Sequence, residues 1–353
     1  MIAVKEYGDE ILQYVRNNKD VFEKIKGSSV LITGAAGLIG SYLTDLIECD
    51  NGELHTNCTV YAIDKDEELL KKRLSVFADL GVKCICLDVN EDQIDDYKVD
   101  YLIHAASNTS PRDYASKPIS TMRTNIIGTD KMLSYCVKND ARRFVFCSSV
   151  EVYGMNNGDI DEFDESYSGY VDCNTLRAGY PSAKRASEAL CNAYSTEHEC
   201  LEFVIARIGR IYGPTVIESD AKSVTQFIQN AVNGESIVMK SNGLQEFSYC
   251  YVGDCAMALL YVMLYGANKE AYNIADPKSK VLLRDFAEYA AKAGQTDVTF
   301  TEPTNAEKQG YSKITKATMA TKKLEQMGWR AEINIQEGID RTVRYLKRMK
   351  GCQ

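Results

Sequence analysis

The chain has 353 residues, about twice an ordinary domain, which favours one large α/β domain or two smaller ones. Hydrophobic residues make up 45% and charged residues 26%, a globular balance that excludes disordered, collagenous and fibrous chains. Lys and Arg number 41 against 50 Asp and Glu, a net charge of −9, which argues against a dedicated nucleic-acid binder because phosphate neutralisation needs a basic footprint.

The 12 cysteines are scattered singly, often inside apolar stretches such as Cys84-Ile85-Cys86 and Phe146-Cys147. No Cys-x-x-Cys pair occurs, and His55, His104 and His198 match no zinc spacing, so reduced structural thiols and no metal are expected. Lys5, Glu6, Asp9 and Glu10 leave no apolar signal region, and the longest apolar run, Ala256 to Tyr265, is half a membrane span. A cytoplasmic protein with no membrane partner is expected.

In chain order, residues 1–28 predict an amphipathic helix, with Ile11, Tyr14, Val15, Val21, Phe22 and Ile25 at helical spacing among charges. Val30 to Thr33 is a short apolar run ending in glycines, the pattern of a buried parallel strand. Five more such runs follow: Thr59 to Ile63, Lys83 to Leu87, Tyr101 to Ala105, Phe144 to Cys147 and Phe203 to Ala206. Segments between them read as helices, including Gly40 to Cys49 and Glu67 to Leu80. Alternating βα units imply a Rossmann-like, doubly wound parallel sheet. After about residue 213 the rhythm changes to short mixed elements and isolated helices, the last from Ile335 to Lys350. The expected organisation is an N-terminal helical extension (1–28), a Rossmann domain (29–212), and a smaller mixed region (213–353). That last region covers the sheet's carboxyl edge, binds substrate and returns one segment to the sheet.

The first strand runs into Gly34-Ala35-Ala36-Gly37-Leu38-Ile39-Gly40. Glycines there allow a tight turn, close approach of a pyrophosphate and tight helix–strand packing, while the following helix offers free amides to the phosphates. Asp64 closes the second strand, where a carboxylate accepts a ribose 2′-hydroxyl and repels a 2′-phosphate, which predicts NAD rather than NADP; Lys65 stands beside it.

Tyr180-Pro181-Ser182-Ala183-Lys184 places a phenol and an ammonium on one helix face, and Pro181 suits a first helical turn. A phenol ordinarily titrates near 10, so work as a base at pH 7 needs about 4 kcal/mol of help from an adjacent ammonium and the NAD⁺ charge. Tyr61/Lys65 and Tyr265/Lys269 share the spacing, but the first crosses a strand end and the second contains Gly266. Only Tyr180 follows a strand that ends in Cys147-Ser148-Ser149.

From residue 29 onward the chain resembles the extended short-chain dehydrogenase/reductases, the sugar-nucleotide epimerases and dehydratases. The resemblance runs through the glycine spacing, Asp88-Val89, His104-Ala105-Ala106-Ser107, Thr124-Asn125 and Gly328-Trp329. Its closest branch by motif is the UDP-glucuronate decarboxylases, through Ser107 to Tyr114, Thr121 to Asn125 and Arg177-Ala178-Gly179-Tyr180. The resemblance implies NAD held by Gly34, Gly37, Leu38, Ile39, Gly40, Asp64, Lys65, Asp88, Val89, Ala105, Ala106, Ser107, Asn125, Tyr180, Lys184 and Ile211. It implies a nucleotide-sugar substrate against Ser110, Arg123, Ser149, Arg210, Lys222 and Phe247, and a homodimer. Tyr180 is then the base that takes the proton from a sugar 4-hydroxyl, Lys184 its partner and Ser149 the group that holds that hydroxyl.

Glu151 bears on the reaction type. The 4,6-dehydratases carry an Asp-Glu pair at positions 150 and 151, the decarboxylases Ser-Glu, and simple 4-epimerases usually no acid at either. Here Val150 removes a dehydratase's proton donor and Glu151 is kept. Two departures stand out: Arg210 replaces the family's asparagine, and Phe247 stands where relatives place an arginine that grips the diphosphate or the reacting sugar. Arg210 or Lys222 is then a candidate replacement for that charge. The readings left open are a decarboxylase or dehydratase acting through a 4-keto intermediate, a nucleotide-sugar 4-epimerase, and a non-catalytic NAD-binding sensor or scaffold.

Overall fold

The computed structural model describes residues 4–74, 81–94, 97–109, 116–302 and 315–351. Seven strands form one parallel sheet: β1 (Ser29–Thr33), β2 (Thr59–Asp64), β3 (Lys83–Cys86), β4 (Tyr101–His104), β5 (Arg143–Ser149), β6 (Glu202–Ile208) and β10 (Ala271–Ile274). The order is β3-β2-β1-β4-β5-β6-β10, which reverses direction between β1 and β4. Ligands of open parallel sheets bind at that reversal, outside the strands' carboxyl ends.

All six expected strand runs lie in this sheet, and the seventh strand comes from the C-terminal part of the chain. The helix before it, α8 (Val252–Tyr265), holds the long apolar run, and it packs on β5 and β6. Its apolar character is that of a helix buried in a protein core, and no described helix is long and apolar enough to cross a membrane.

Successive strand residues alternate between two cores. Val30, Ile32, Val145, Cys147, Val204 and Ala206 face one, shared with α1 (Lys5–Asn17), α3 (Leu38–Glu53) and α8. Leu31, Phe144, Phe146, Phe203 and Ile205 face the other, under α5 (Pro118–Lys138) and α6 (Gly179–Glu197). Between these, α4 (Glu67–Leu74) is the described part of the helix expected to reach Leu80; residues 75–80 lie outside the described residues.

The N-terminal amphipathic segment divides into α1, α2 (Lys19–Phe22) and a single 3₁₀ turn, Glu23–Ile25. Asn18 separates them with φ −122° and ψ 33°, and its side-chain amide donates to Tyr14 O at 2.9 Å. A short polar side chain that satisfies a free carbonyl in this way ends a helix.

Over the sheet's carboxyl edge, β7 (Arg210–Tyr212), β9 (Glu246–Tyr251), β11 (Lys280–Leu282) and β13 (Lys316–Ala317) form a small mixed sheet, with β7 parallel to β9. A two-stranded pair, β8 (Ile237–Met239) with β12 (Val298–Phe300), and helices α7 (Ser223–Asn233), α9 (Leu283–Gly294), α10 (Lys322–Gln326) and α11 (Ile335–Gly351) complete this layer. The 11 described cysteines are unpaired, and no His, Cys, Asp and Glu group among the described residues could hold a metal.

Candidate active site

A cavity of about 540 Å³ opens where the sheet order reverses, within the range usual for small-molecule sites. The glycine loop forms one wall. Gly34 has φ +69°, and a Cβ on it would stand 2.9 Å from Ala106 N; a Cβ on Gly40 would stand 2.4 Å from Gly34 O. Only hydrogen fits either place. Helix α3 starts at Leu38 with Gly37 as a cap that has no side chain, so its first amides stay open to a ligand. This backbone cradle fits a dinucleotide pyrophosphate.

Asp64 ends β2 at the cavity. Its carboxylate accepts from the amides of Ala36 (3.1 Å) and Asp66 (3.1 Å), and burial raises its pKa despite those bonds. Leu38, Ile39, Lys65, Asp88, Val89, Ala105, Ala106, Ser107 and Ile211 line the same cavity. Asn125 is buried behind it and accepts a hydrogen bond from Ser107 Oγ at 3.0 Å, so it orients a lining residue. His104 is buried between β1 and the aromatic face of β5, with Nδ1 2.8 Å from Thr33 Oγ1. Burial, and then the Lys184 charge, push its pKa down to about 3, so it is a neutral spacer.

The second wall carries Ser149, Glu151, Tyr180 and Lys184. Ser149 is the last residue of β5, and Glu151 lies in the 3₁₀ turn Val150–Tyr153 that follows; the Glu151 amide donates to Ser149 Oγ at 3.3 Å. Tyr180 and Lys184 lie one turn apart on α6, both buried and both lining the cavity. Lys184 Nζ donates to Cys147 O at 2.7 Å and stands 4.7 Å from the Phe146 ring centroid and 5.9 Å from that of Tyr180. Burial pushes its pKa down to about 8, so an ammonium persists near neutrality beside the phenol. Behind this wall Glu188 accepts from Ser148 Oγ (2.6 Å) and pairs with Arg207 (2.8 Å), which fixes the end of β5 against β6.

Arg210 and Lys222 reach the cavity from the overlying layer. Lys222 Nζ donates to Asp220 (2.8 Å) and to Thr109 Oγ1 (2.8 Å), which joins the segment after β7 to the one after β4. Arg73 of α4 donates to Thr215 O and Val216 O, and Thr215 Oγ1 to Leu38 O, so the segment after β7 is also tied to the glycine-loop helix.

Of the residues expected at the substrate, two stand elsewhere and one, Ser110, lies outside the described residues. Arg123 does not line the cavity; it points outward on α5, 3.7 Å from Glu91. Phe247 is buried behind Arg210, and its ring supports the guanidinium from the side away from the cavity. Conversely, Arg177 and Thr109 line the cavity and were not singled out as site residues. Arg177 stands three residues before Tyr180, within one turn of the α6 start, and that proximity was the available signal.

UDP-glucuronic acid decarboxylase 1 of Danio rerio is 30% identical over 324 residues, covering 90% of this chain and 72% of its own. UDP-glucuronic acid decarboxylase 6 of Arabidopsis thaliana is 32% identical over 314 residues, covering 88% and 86%. Among solved structures, an epimerase of Methanothermobacter thermautotrophicus superposes with a TM-score of 0.81 at 19% identity, over 94% of this chain and 96% of its own. A dTDP-glucose 4,6-dehydratase of Bacillus anthracis, solved with NAD, gives 0.75 at 18%, over 92% and 98%. The family model for NAD dependent epimerases and dehydratases matches residues 30–275, from the first strand of the sheet through its last. With the glycine cradle, Asp64 and the Tyr180–Lys184 pair all inside that span, the chain belongs to the NAD dependent epimerase/dehydratase family.

Proposed function

We propose that the chain is an NAD-dependent enzyme acting on a nucleotide sugar through a 4-keto intermediate, with decarboxylation of a sugar acid favoured over dehydration and over 4-epimerisation. The observation that carries the choice is Glu151, a carboxylate on the wall that also holds Ser149, Tyr180 and Lys184. The decarboxylase names of the curated relatives support the same choice.

NAD held by the Gly34–Gly40 cradle and Asp64 would supply reversible hydride acceptance at the sugar C4. Tyr180 removes the proton of the 4-hydroxyl, Ser149 holds the oxygen, and the Lys184 ammonium stabilises the phenolate. A 4-ketone makes a C5 carboxylate a β-keto acid: the bond between C5 and the carboxyl carbon breaks, carbon dioxide leaves, and its electron pair passes into the C4 enolate. C5 then takes a proton, and Glu151 is the group placed to hold it. Tyr180 finally returns its proton to O4. Dehydration would need an acid for the departing hydroxyl, and Val150 supplies none.

Tyr180, Lys184 and Ser149 standing together weigh against a non-catalytic sensor. The reading includes a homodimer, for which Ile119 (73% exposed) and Leu176 (66% exposed) offer apolar surface near the starts of α5 and α6. Glu151→Gln tests the reaction type. Mixed with NAD and UDP-glucuronate, this variant is expected to accumulate a decarboxylated UDP-4-keto-pentose, stalled after loss of carbon dioxide and detectable by mass spectrometry. Turnover within a few-fold of the unsubstituted enzyme would instead favour a 4-epimerase.

A further inference from the structure

One charged group in the cavity has no part in the proton path above. Arg210 opens β7, opposite Tyr249 of β9. Its guanidinium carbon lies 4.3 Å from the centroid of Phe247, two residues before Tyr249 and so on the same side of β9. The Phe247 and Tyr249 rings meet edge to face, with centroids 6.3 Å apart, so the floor beneath the guanidinium is rigid.

The guanidinium is under-used as it stands. Its Nη2 is 3.7 Å from Glu151 Oε1, longer than a direct hydrogen bond, and its buried Nε has no partner. The buried Tyr249 hydroxyl, on the neighbouring strand, also lacks one. Buried donors are normally paired, and a planar fork with free edges takes a planar anion in a bidentate contact. Glu151 is two residues beyond Ser149, so the guanidinium stands at the reacting end of the cleft. A neutral hexose brings only hydroxyls to that place, whereas a sugar acid brings two coplanar acceptor oxygens.

We infer that Arg210, braced on the Phe247 ring, is the specificity-determining residue of this chain and takes the carboxylate of a nucleotide-linked sugar acid. Phe247 is its positioning residue. Arginine at 210 and phenylalanine at 247 are thus one arrangement: the charge comes from β7 and the ring on β9 aims it. The inference rests on the nucleotide-sugar reading above.

Calorimetric titration with UDP-glucuronate, UDP-glucose and UDP tests it, with the otherwise unsubstituted enzyme and every variant carried in an NAD-loaded Tyr180→Phe background so that no ligand is turned over during the titration. The unsubstituted enzyme is expected to bind UDP-glucuronate about tenfold or more tighter than UDP-glucose, the size of one charge-assisted contact. Arg210→Met is expected to erase that ratio while UDP-glucose and UDP stay within about threefold, a retained affinity that also shows the variant is folded. Arg210→Lys, which keeps the charge without the fork, is expected to retain part of the ratio, and serves if the methionine variant does not fold. Phe247→Leu is expected to shrink the ratio with UDP binding unchanged, which a merely structural role would not produce. Equal weakening of all three ligands by Arg210→Met would assign the guanidinium to the diphosphate and overturn the inference. An unsubstituted enzyme without preference for the sugar acid would do the same, and either result leaves the nucleotide-sugar reading standing. Failure of the unsubstituted enzyme to bind any of the three overturns that reading as well.

Discussion

Tyr180 is a buried residue of α6 and lines the cavity one turn from Lys184. Tyr180→Phe removes a single oxygen and no packing, so NAD affinity is expected to stay within about twofold while turnover falls by 10²-fold or more, about the size of a general-base contribution. Parallel fluorescence titration and turnover assays check both halves; undiminished turnover would remove Tyr180 from its role. Asp64 has a different duty, since its carboxylate organises the Ala36 and Asp66 amides beside the ribose end of the cradle. Asp64→Ala is expected to weaken NAD and narrow the preference for NAD over NADP, and an unchanged NAD titration would reduce Asp64 to a turn residue.

Residue-scale legibility followed locality. The glycines and the Tyr180–Lys184 pair depend on short spacings, which a sequence displays directly. Arg123 and Phe247 depend on which way a side chain points across two elements, and the sequence does not carry that. The outward turn of Arg123 and the seat of Phe247 behind Arg210 became visible only with the strands in register.

The helical period of the N-terminal segment was plain, but the duty of its charges was not. Glu10 reads as a solvent-facing charge, yet it is buried. Its Oε1 accepts from Tyr42 of α3 (2.7 Å) and Tyr251 of β9 (2.7 Å), and its Oε2 from Arg341 (2.9 Å) and Tyr345 (3.1 Å) of α11. One carboxylate therefore joins the glycine-loop helix, the substrate-side sheet and the last helix. Two neighbours repeat the pattern: Tyr7 donates to Asp45 of α3, and Tyr14 to Asp254 of α8 at 2.9 Å. Glu10→Ala strands the Tyr42 and Tyr251 hydroxyls and removes one of the two carboxylates that hold Arg341, and is expected to cost about 3 kcal/mol or more, read as a lower urea midpoint, with Glu10→Gln milder.

The same latch sets a pH dependence. Burial pushes Asp45 up to about 7, and Asp254 likewise to about 7. An unfolded aspartate titrates near 4. Between those values the folded chain binds more protons than the unfolded one, so this contribution to stability is complete below about pH 4 and is lost as pH rises through about 7. The melting temperature of the unsubstituted protein is expected to fall more between pH 5 and pH 8 than that of Asp45→Asn. Parallel curves would show that Asp45 does not titrate there.

At the scale of the whole molecule, the alternation of apolar runs and helices was enough to expect a doubly wound sheet, because the central strands are buried on both faces and read as continuous apolar runs, whereas the edge strand β3 is largely exposed. The strand at its far edge, β10, was harder to place. It has only four residues, Ala271 to Ile274, and pairs with β6 from a stretch far along the chain. The overlying small sheet was equally hidden, since β7, β11 and β13 have two or three residues each and owe their pairing to β9 rather than to any pattern of their own. Yet that layer delivers Arg210 to the cavity, so the residue proposed to select the substrate comes from the part of the fold least visible in the sequence.

The reaction itself is the decisive test. Enzyme, NAD and UDP-glucuronate are incubated together and the nucleotide sugars are weighed by mass spectrometry. The expected product is lighter than the substrate by one carbon dioxide, with NAD needed only in catalytic amount. A product of unchanged mass and altered configuration at C4, formed at a comparable rate, would contradict decarboxylation and make the chain an epimerase.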